Sequence, residues 1–231
     1  MKKVRTLMLL FACIAILPLC AQDEDTEYRM ELGGALGLTS GLNDANSKVF
    51  GNSQLAGGVL ARFLLNPRMA IKTSLTYGKV KANTAGVDHF YPANPEMPGA
   101  DRLQFAASGG LYDLSALYEL NFLPYGYYRG YQGFHRLVPY IQLGVGFAYS
   151  DAGDAFCLSL PLGVGLKYKI GRRLNLGLEW RMHLTACDKL EGLEAPLGLS
   201  SGGFRNKDHY SFTMFTLTYD LSPRCPTCNK D

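Results

Sequence analysis

The sequence predicts an all-β fold: an eight-stranded antiparallel transmembrane β-barrel that follows a cleaved N-terminal signal peptide. Short segments of alternating apolar and polar residues recur along the chain, and a strand sends successive side chains to opposite faces. The 26 glycines and 14 tyrosines suit a β-rich exported chain. No stretch after the first 21 residues approaches the ~20 apolar residues that a membrane helix requires. A closed barrel with its apolar face toward lipid accounts for all three observations.

The signal peptide is expected at 1–21, where three basic residues precede an apolar run at 7–17 and cleavage follows Ala21. Cys20 raises the alternative of a lipid anchor, but the preceding Leu17-Pro18-Leu19 has a bulky leucine where lipoprotein signals carry a small residue. Cleavage removes three positive charges and no negative ones, which takes the net charge from +3 to 0. A neutral chain of this kind is not expected to bind nucleic acid.

Eight strands account for the rest of the chain. We predict them at 28–39, 53–65, 68–80, 103–122, 137–149, 156–170, 173–187 and 209–221, within one barrel domain at 22–222 that is followed by a periplasmic tail at 223–231. Turns at 66–67 and 171–172 are short, whereas the connections at 40–52, 81–102 and 188–208 are long and polar. Outer-membrane barrels have short periplasmic turns and long outward loops, so the termini are placed in the periplasm. A short connection at 150–155 and a long aromatic one at 123–136 depart from that rule.

The two faces of the strands differ in chemistry. In 55–65 and 141–149 the odd-numbered residues form the apolar face, and in 156–170 and 174–186 the even-numbered residues do. The opposite faces carry charged residues and many glycines. An eight-stranded barrel has room inside only for side chains, so small residues must lie beside the large charged ones. The sequence therefore predicts a filled lumen and not a pore for solutes.

Charged residues on the predicted inner wall form one group. They are Arg62, Lys72, Asp113, Glu119, Lys167, Glu179 and Arg181. Charges buried in a narrow lumen must pair with one another, so we interpret the group as an ion-pair plug that stiffens the barrel. A proton or ion path is the functional alternative, and no residue singles it out.

Four cysteines remain after cleavage of the signal. Cys157 and Cys187 lie equally far from the turn at 172, so an undisturbed hairpin would bring them together at the outward rim. They either form a disulfide in an oxidising compartment or stay apart after a shift of register. In the tail, Cys225 and Cys228 lack the further ligands of a zinc site and the helix of a redox pair. They form a local disulfide loop or a tether to a partner.

Catalytic residues are not expected. Ser159 and His183 face the lumen on neighbouring strands, but the chain has neither a GxSxG nor an HExxH motif. A lipid-modifying barrel enzyme would instead need its site on the lipid-facing wall near the rim. We therefore expect no enzymatic activity, no metal, no cofactor and no small-molecule substrate.

Short stretches along nearly the whole mature chain resemble PorG-like outer-membrane β-barrels of the Bacteroidota type IX secretion system, which are of the OmpA and OmpX size class. They are Glu31-Leu32-Gly33-Gly34-Ala35-Leu36-Gly37, Leu75-Thr76-Tyr77-Gly78-Lys79, Arg102-Leu103-Gln104-Phe105, Tyr118-Glu119-Leu120-Asn121-Phe122, Pro139-Tyr140-Ile141, Asp208-His209-Tyr210-Ser211-Phe212-Thr213, Leu217-Thr218-Tyr219 and Cys225-Pro226. The resemblance implies an integral outer-membrane protein, surrounded by outer-membrane lipids, that anchors a periplasmic ring of a lipoprotein and its partner (PorK and PorN). The segment 188–193 and the short connection at 150–155 depart from these relatives.

The predicted periplasmic side offers a docking surface for such a ring. We assign to it Tyr125, Tyr127, Tyr128, Arg129 and Tyr131, with Cys225 and Cys228 as a tether, because tyrosine and arginine are common interface anchors. An aromatic girdle at the membrane interface is the structural alternative. The alternative function is an OmpX-like surface barrel in adhesion or serum resistance, which would act through 81–102 and 188–208.

Overall fold

The structure, a computed structural model, describes residues 28–42, 53–83, 106–127, 133–187, 190 and 208–223. These residues form a closed antiparallel barrel in which the strands are neighbours in chain order. The strands are β1 (Tyr28–Leu42), β2 (Gln54–Asn66), β3 (Met69–Asn83), β4 (Ala106–Asn121), β5 (Leu137–Ser150), β6 (Ala155–Lys169), β7 (Leu174–Thr185) and β8 (His209–Pro223). The predicted fold class is confirmed. No helix long and apolar enough to cross a membrane occurs among the described residues.

Strand ends differ from the predictions by a few residues. β1 and β3 continue to 42 and 83, past the predicted 39 and 80, while β7 already ends at 185. The reason is visible in the register, since backbone pairing of β1 with β8 runs on to Leu42 and His209. Backbone hydrogen bonds continue beyond the point where the alternation of apolar and polar residues stops.

The two ends of the barrel are distinct. We call the end that bears Tyr28 and Pro223 the terminal end; it also holds the β2–β3, β4–β5 and β6–β7 connections. The opposite end, which we call the loop end, holds the β1–β2, β3–β4, β5–β6 and β7–β8 connections. β1 pairs with β8 from Tyr28↔Pro223 to Leu42↔His209, so the last strand seals the barrel against the first.

Large apolar side chains cover the outside of the barrel. Every strand contributes exposed examples, among them Leu32, Leu36, Leu55, Phe63, Ile71, Leu75, Leu114, Tyr118, Ile141, Phe147, Leu162, Val164, Leu176, Leu178, Phe215 and Leu217. At the loop end, Tyr77, Tyr112, Tyr149 and Phe156 form one cross-strand row on this face. The alternation in the sequence therefore turns its apolar side outward, the reverse of a soluble barrel.

The inside of the barrel is filled with side chains in two layers. Toward the loop end the layer is mainly apolar and includes Leu60, Leu111, Phe212 and Met214, whereas the remainder is charged and hydrogen-bonded. Gly165 shows why small residues are needed, because a Cβ atom there would lie 2.5 Å from the Tyr140 ring. The glycine thus gives that ring its place among the charged groups.

Candidate functional site: the lumen network and the terminal end

Glu119 on β4 is completely buried and lies at the centre of the charged network. Its carboxylate lies 3.0 Å from Arg62 Nε and 3.2 Å from Lys72 Nζ, and it also accepts a hydrogen bond from Lys167 Nζ. Arg62 and Lys72 are register partners on β2 and β3, whereas Lys167 extends from β6. One carboxylate therefore joins cations from three strands.

Two further carboxylates complete the pairing of Arg62 and Lys72. Arg62 Nη1 donates to Glu31 Oε2 at 2.8 Å, and Lys72 Nζ donates to Glu179 Oε2 at 2.6 Å. Glu179 also accepts a hydrogen bond of 2.8 Å from the Tyr140 hydroxyl. Buried charges that are paired and hydrogen-bonded in this way are tolerated, whereas removing one partner leaves an uncompensated charge. The network thus fixes β1, β2, β3, β4 and β7 relative to one another.

Asp113 organises a second cluster beside the apolar layer. Its Oδ2 accepts a hydrogen bond of 2.7 Å from the Tyr210 hydroxyl, and its Oδ1 accepts one of 2.7 Å from Ser115 Oγ. His183 Nδ1 lies 3.2 Å from Asp113 Oδ2, and the His183 ring stacks on Tyr210 with 4.5 Å between centroids. All four side chains are buried. The burial and mutual contacts of these side chains suit the cluster to packing between the strands.

A disulfide joins Cys157 and Cys187 at the loop end, which is the first of the two alternatives that their spacing around the β6–β7 turn left open. The two Cα atoms are 5.7 Å apart. Close to the bridge, Leu190 is buried: its amide donates to Asp208 Oδ2 at 3.0 Å and its carbonyl accepts from Ser150 Oγ at 2.6 Å. The start of the β7–β8 connection is therefore fastened over the apolar layer.

Tyr125 closes the terminal end. The side chain is 9 % exposed, its hydroxyl donates to Asn175 Oδ1 at 2.8 Å, and its amide donates to the Pro67 carbonyl at 2.9 Å. Burial raises the pKa of Tyr125, so the hydroxyl keeps the proton that it donates. The assignment of Tyr125 to an exposed docking surface is therefore corrected: the β4–β5 connection turns this ring into the mouth of the barrel.

The other predicted docking residues are only partly described. Tyr127 is half-buried, with the Arg136 guanidinium 5.0 Å from its ring centroid. Tyr128, Arg129 and Tyr131 lie outside the described residues. Three other predicted features also lie outside the described residues. They are the tether of Cys225 and Cys228, the signal peptide at 1–21, and most of the long connections at 40–52, 81–102 and 188–208.

The structure places all seven residues of the predicted lumen group inside the barrel and buries each of them. Glu31, Lys169 and Asp220 belong to the interior as well; the alternation in 156–170 predicts an inward Lys169, but the predicted ion-pair group contains none of the three. Lys169 Nζ lies 2.6 Å from Asp220 Oδ2 near the terminal end. All three occupy inward positions within the predicted strands 28–39, 156–170 and 209–221, so the same alternation places them inside.

Among the described residues, no group of three or more His, Cys, Asp or Glu side chains is arranged so that it could hold a metal ion. Ser159 and His183 are 1 % and 0 % exposed. The arrangement can hold the strands together, and the exposed side chains of the described residues lie on the outer surface and at the two ends.

Fold and lumen together define a closed, filled, eight-stranded barrel with its apolar side outward and its charges inside. The chain belongs to the family described as "Domain of unknown function (DUF6089)", whose model matches residues 7–230. A comparison with curated proteins gives no match.

Two solved structures are similar in outline. Neisserial surface protein A (NspA) has 14% sequence identity and a TM-score of 0.49, and the similarity covers 83% of this chain and 97% of that one. Ail, the attachment invasion locus protein of Yersinia pestis, in a complex with the heparin analogue sucrose octasulfate, has 9% identity and a TM-score of 0.48, with 85% and 100% covered.

Proposed function

We propose that the protein is a non-enzymatic outer-membrane barrel that serves as a scaffold of the type IX secretion machinery. It anchors a periplasmic ring of a PorK-like lipoprotein and its PorN-like partner to the outer membrane. One observation carries the proposal: apolar side chains cover all eight strands outside, while paired charges fill the inside. In the described part of the chain the lumen is filled and Ser159 and His183 are buried, which suits a protein that works through its surfaces.

The apolar exterior supports the membrane part of the proposal. Burial of this surface in lipid is favourable by roughly 25 cal/mol for each Å² removed from water. Tyr77, Tyr112 and Tyr149 lie in one row at the loop end, where an aromatic belt is expected at a membrane interface. The termini then face the periplasm and the long connections face outward.

The β4–β5 connection supports attachment at the terminal end. The His135 amide donates to the Pro124 carbonyl at 2.8 Å, and the Gly126 amide donates to the His135 carbonyl at 3.2 Å. With Tyr125 inserted in the barrel mouth, both ends of the stretch 127–134 are held on the barrel. The tyrosine-rich sequence of this stretch suits a docking surface, because tyrosine is a common interface anchor.

The test replaces the side chains of this stretch and spares its anchor. A variant with Tyr127→Ala, Tyr128→Ala, Arg129→Ala and Tyr131→Ala keeps Tyr125 and should keep the barrel folded. The tagged protein is purified from native membranes in mild detergent, and co-purified ring components are quantified by mass spectrometry. The matched control carries Phe90→Ala and Tyr91→Ala in the β3–β4 connection at the loop end.

We expect the ring components to be lost from the terminal-end variant by tenfold or more and to be retained by the control. Secretion of cargo with a carboxyl-terminal signal should fall in the same variant. If the ring co-purifies equally with both variants, the docking assignment is wrong. If wild type brings down no ring and secretion continues without the gene, the scaffold role is wrong, and adhesion through the long outward connections becomes the function to test.

The cysteines of the tail supply a separate test of tethering. Native outer membranes are run on a non-reducing gel with wild type beside Cys225→Ser and Cys228→Ser. A covalent tether predicts a band of higher mass that disappears with reductant and in at least one variant. A monomer band in every lane would mean that Cys225 and Cys228 form a local loop and that docking is non-covalent.

A further inference from the structure

Charged side chains are distributed unequally between the two ends of the barrel. Among the described residues of the terminal end, every charged side chain that is exposed or half-buried is an arginine: Arg29, Arg68, Arg136, Arg172 and Arg173. The loop end differs. It holds the exposed carboxylates of the described residues, Asp151 and Asp154, and the outward-facing lysines, Lys79 and Lys81. The described part of the terminal end thus presents only positive charge to its surroundings.

Arg136 is held in a fixed position beside the β6–β7 turn. Its Nε and Nη2 donate to the Lys169 carbonyl at 2.9 and 2.8 Å, and Nη2 also donates to the Ile170 carbonyl at 2.8 Å. The guanidinium lies 5.0 Å from the Tyr127 ring centroid and 5.4 Å from that of Tyr168. No hydrogen bond from its Nη1 is found within the described residues. The planar cation is therefore ordered before any ligand arrives.

Arg173 lies on the other side of the same turn. Its Nη1 donates to the Tyr219 hydroxyl at 3.3 Å, and its guanidinium lies 5.7 Å from the Tyr28 ring centroid. A backbone hydrogen bond of 2.8 Å from the Asp220 amide to the Arg173 carbonyl fixes the main chain against β8. Two ordered arginines thus flank one turn, each in contact with a tyrosine on the outer wall.

The tyrosines on the outer wall indicate the depth of Arg136 and Arg173 in the membrane. Tyr168 and Tyr219 are exposed on the same outward faces of β6 and β8 as Leu166 and Leu217, which belong to the apolar surface. Tyrosine at the edge of such a surface lies at the boundary between hydrocarbon and headgroups. Arginines in contact with those rings therefore lie at the depth of the lipid phosphates.

We propose that Arg136 and Arg173 form a site for anionic phospholipids, which binds the phosphate groups of such lipids in the leaflet at the terminal end. Arginine suits this ligand because its planar fork donates two parallel hydrogen bonds to a phosphate and is weakly hydrated. The expected ligands are the lipids of this leaflet that carry a net negative charge, because cationic side chains near a membrane surface attract them. The inference rests on the membrane embedding of the proposed function and not on the ring.

The test compares two charge-neutralised double variants of the whole chain. Arg136→Gln with Arg173→Gln removes the site, and Lys79→Gln with Lys81→Gln is the matched control at the loop end. Each protein, in dodecylmaltoside, is titrated with phosphatidylglycerol, and bound lipid is counted by native mass spectrometry. We expect wild type and control to hold the lipid alike, and the arginine variant to bind it at least tenfold more weakly.

Folding is checked by the heat-dependent gel mobility of the barrel. Because Arg136 also binds backbone carbonyls, Arg173→Gln alone is measured beside the double variant and should show part of the same loss. Equal lipid retention by all folded variants would overturn the site. A loss with phosphatidylcholine equal to that with phosphatidylglycerol would show general loosening and would overturn it too. A failure of the ring experiment leaves this result unaffected, so the two proposals fail separately.

Discussion

At the scale of single residues, Glu119 determines the charge balance of the lumen. It is 0 % exposed and contacts three cations, each of which has its own place in the strand register. Arg62 and Lys72 each have one further carboxylate, Glu31 and Glu179. Since the pairs share members, the loss of one carboxylate affects several strands at once, and the effects of neighbouring substitutions should not add.

We predict that Glu119→Gln lowers the free energy of unfolding by about 3–5 kcal/mol, because nearly the same shape then leaves buried cations without their shared negative charge. The measurement is urea unfolding of the vesicle-refolded barrel, followed by fluorescence. Asp151→Asn is the matched control, since it makes the same chemical change at an exposed carboxylate. The control should change the free energy by less than about 0.5 kcal/mol. A similarly small effect of Glu119→Gln would mean that the network is not needed for stability.

At the scale of elements, β6 and β7 show how much of the site the sequence determines. Their alternation predicted the inward faces, and the symmetry of Cys157 and Cys187 about the turn made the disulfide one of two alternatives; the structure contains the disulfide. Tyr125 could not be placed in the same way. It lies in a connection without alternation, and its position depends on contacts with Pro67 and Asn175, which are distant in the sequence.

The β6–β7 disulfide closes a sequence separation of 30 residues. We predict that Cys157→Ser with Cys187→Ser lowers the free energy of unfolding by about 2–4 kcal/mol, because the unfolded chain regains conformational freedom. Urea unfolding with and without reductant measures the effect. Reductant should destabilise wild type to the level of the variant and leave the variant unchanged. The matched control, Cys225→Ser with Cys228→Ser, should behave as wild type. If reductant destabilises wild type but not this control, the effect comes from Cys225 and Cys228, and the assignment of the stabilising bridge to Cys157 and Cys187 is wrong.

The outward face of β7 contains Trp180, the single tryptophan of the chain. It pairs with Val164 on β6 and Thr213 on β8, in the middle of the apolar surface. We predict strong quenching of its fluorescence by phospholipids brominated deep in their acyl chains and weak quenching by aqueous iodide. The control moves the tryptophan to the terminal end with Trp180→Phe and Phe122→Trp, and shallow bromines should quench it better. Strong quenching of Trp180 by iodide would contradict membrane embedding.

At the scale of the whole molecule, the filled lumen determines what the barrel can transport. Ionic groups occupy the middle, an apolar layer with Leu190 lies toward the loop end, and Tyr125 lies in the terminal mouth. The glycines and the inward charges in the sequence predicted filling from the limited room of an eight-stranded barrel. They could not predict the closures at the two ends, because both come from connections and not from strands.

We predict that vesicles containing the purified barrel swell no faster in a solution of a single-ring sugar than protein-free vesicles do. The physical reason is that side chains fill the cross-section and ion pairs hold them together. Vesicles with a general porin provide the positive control for the assay. Swelling by wild type at a porin-like rate would show that the interior opens, and a transport function would replace the scaffold.

The pairing of β1 with β8 has a consequence for biogenesis. Glu31 on β1 accepts a hydrogen bond of 3.0 Å from Thr218 on β8, and Glu119 finds its cations on β2, β3 and β6. A nascent sheet that has not yet closed lacks the contacts between distant strands, such as Glu31 with Thr218 and Glu119 with Lys167, and burial of an incompletely paired charge in hydrocarbon costs much free energy. The inner charges therefore disfavour insertion of an unclosed sheet into the membrane. We expect insertion to be complete only after β8 has paired with β1 and the barrel is closed.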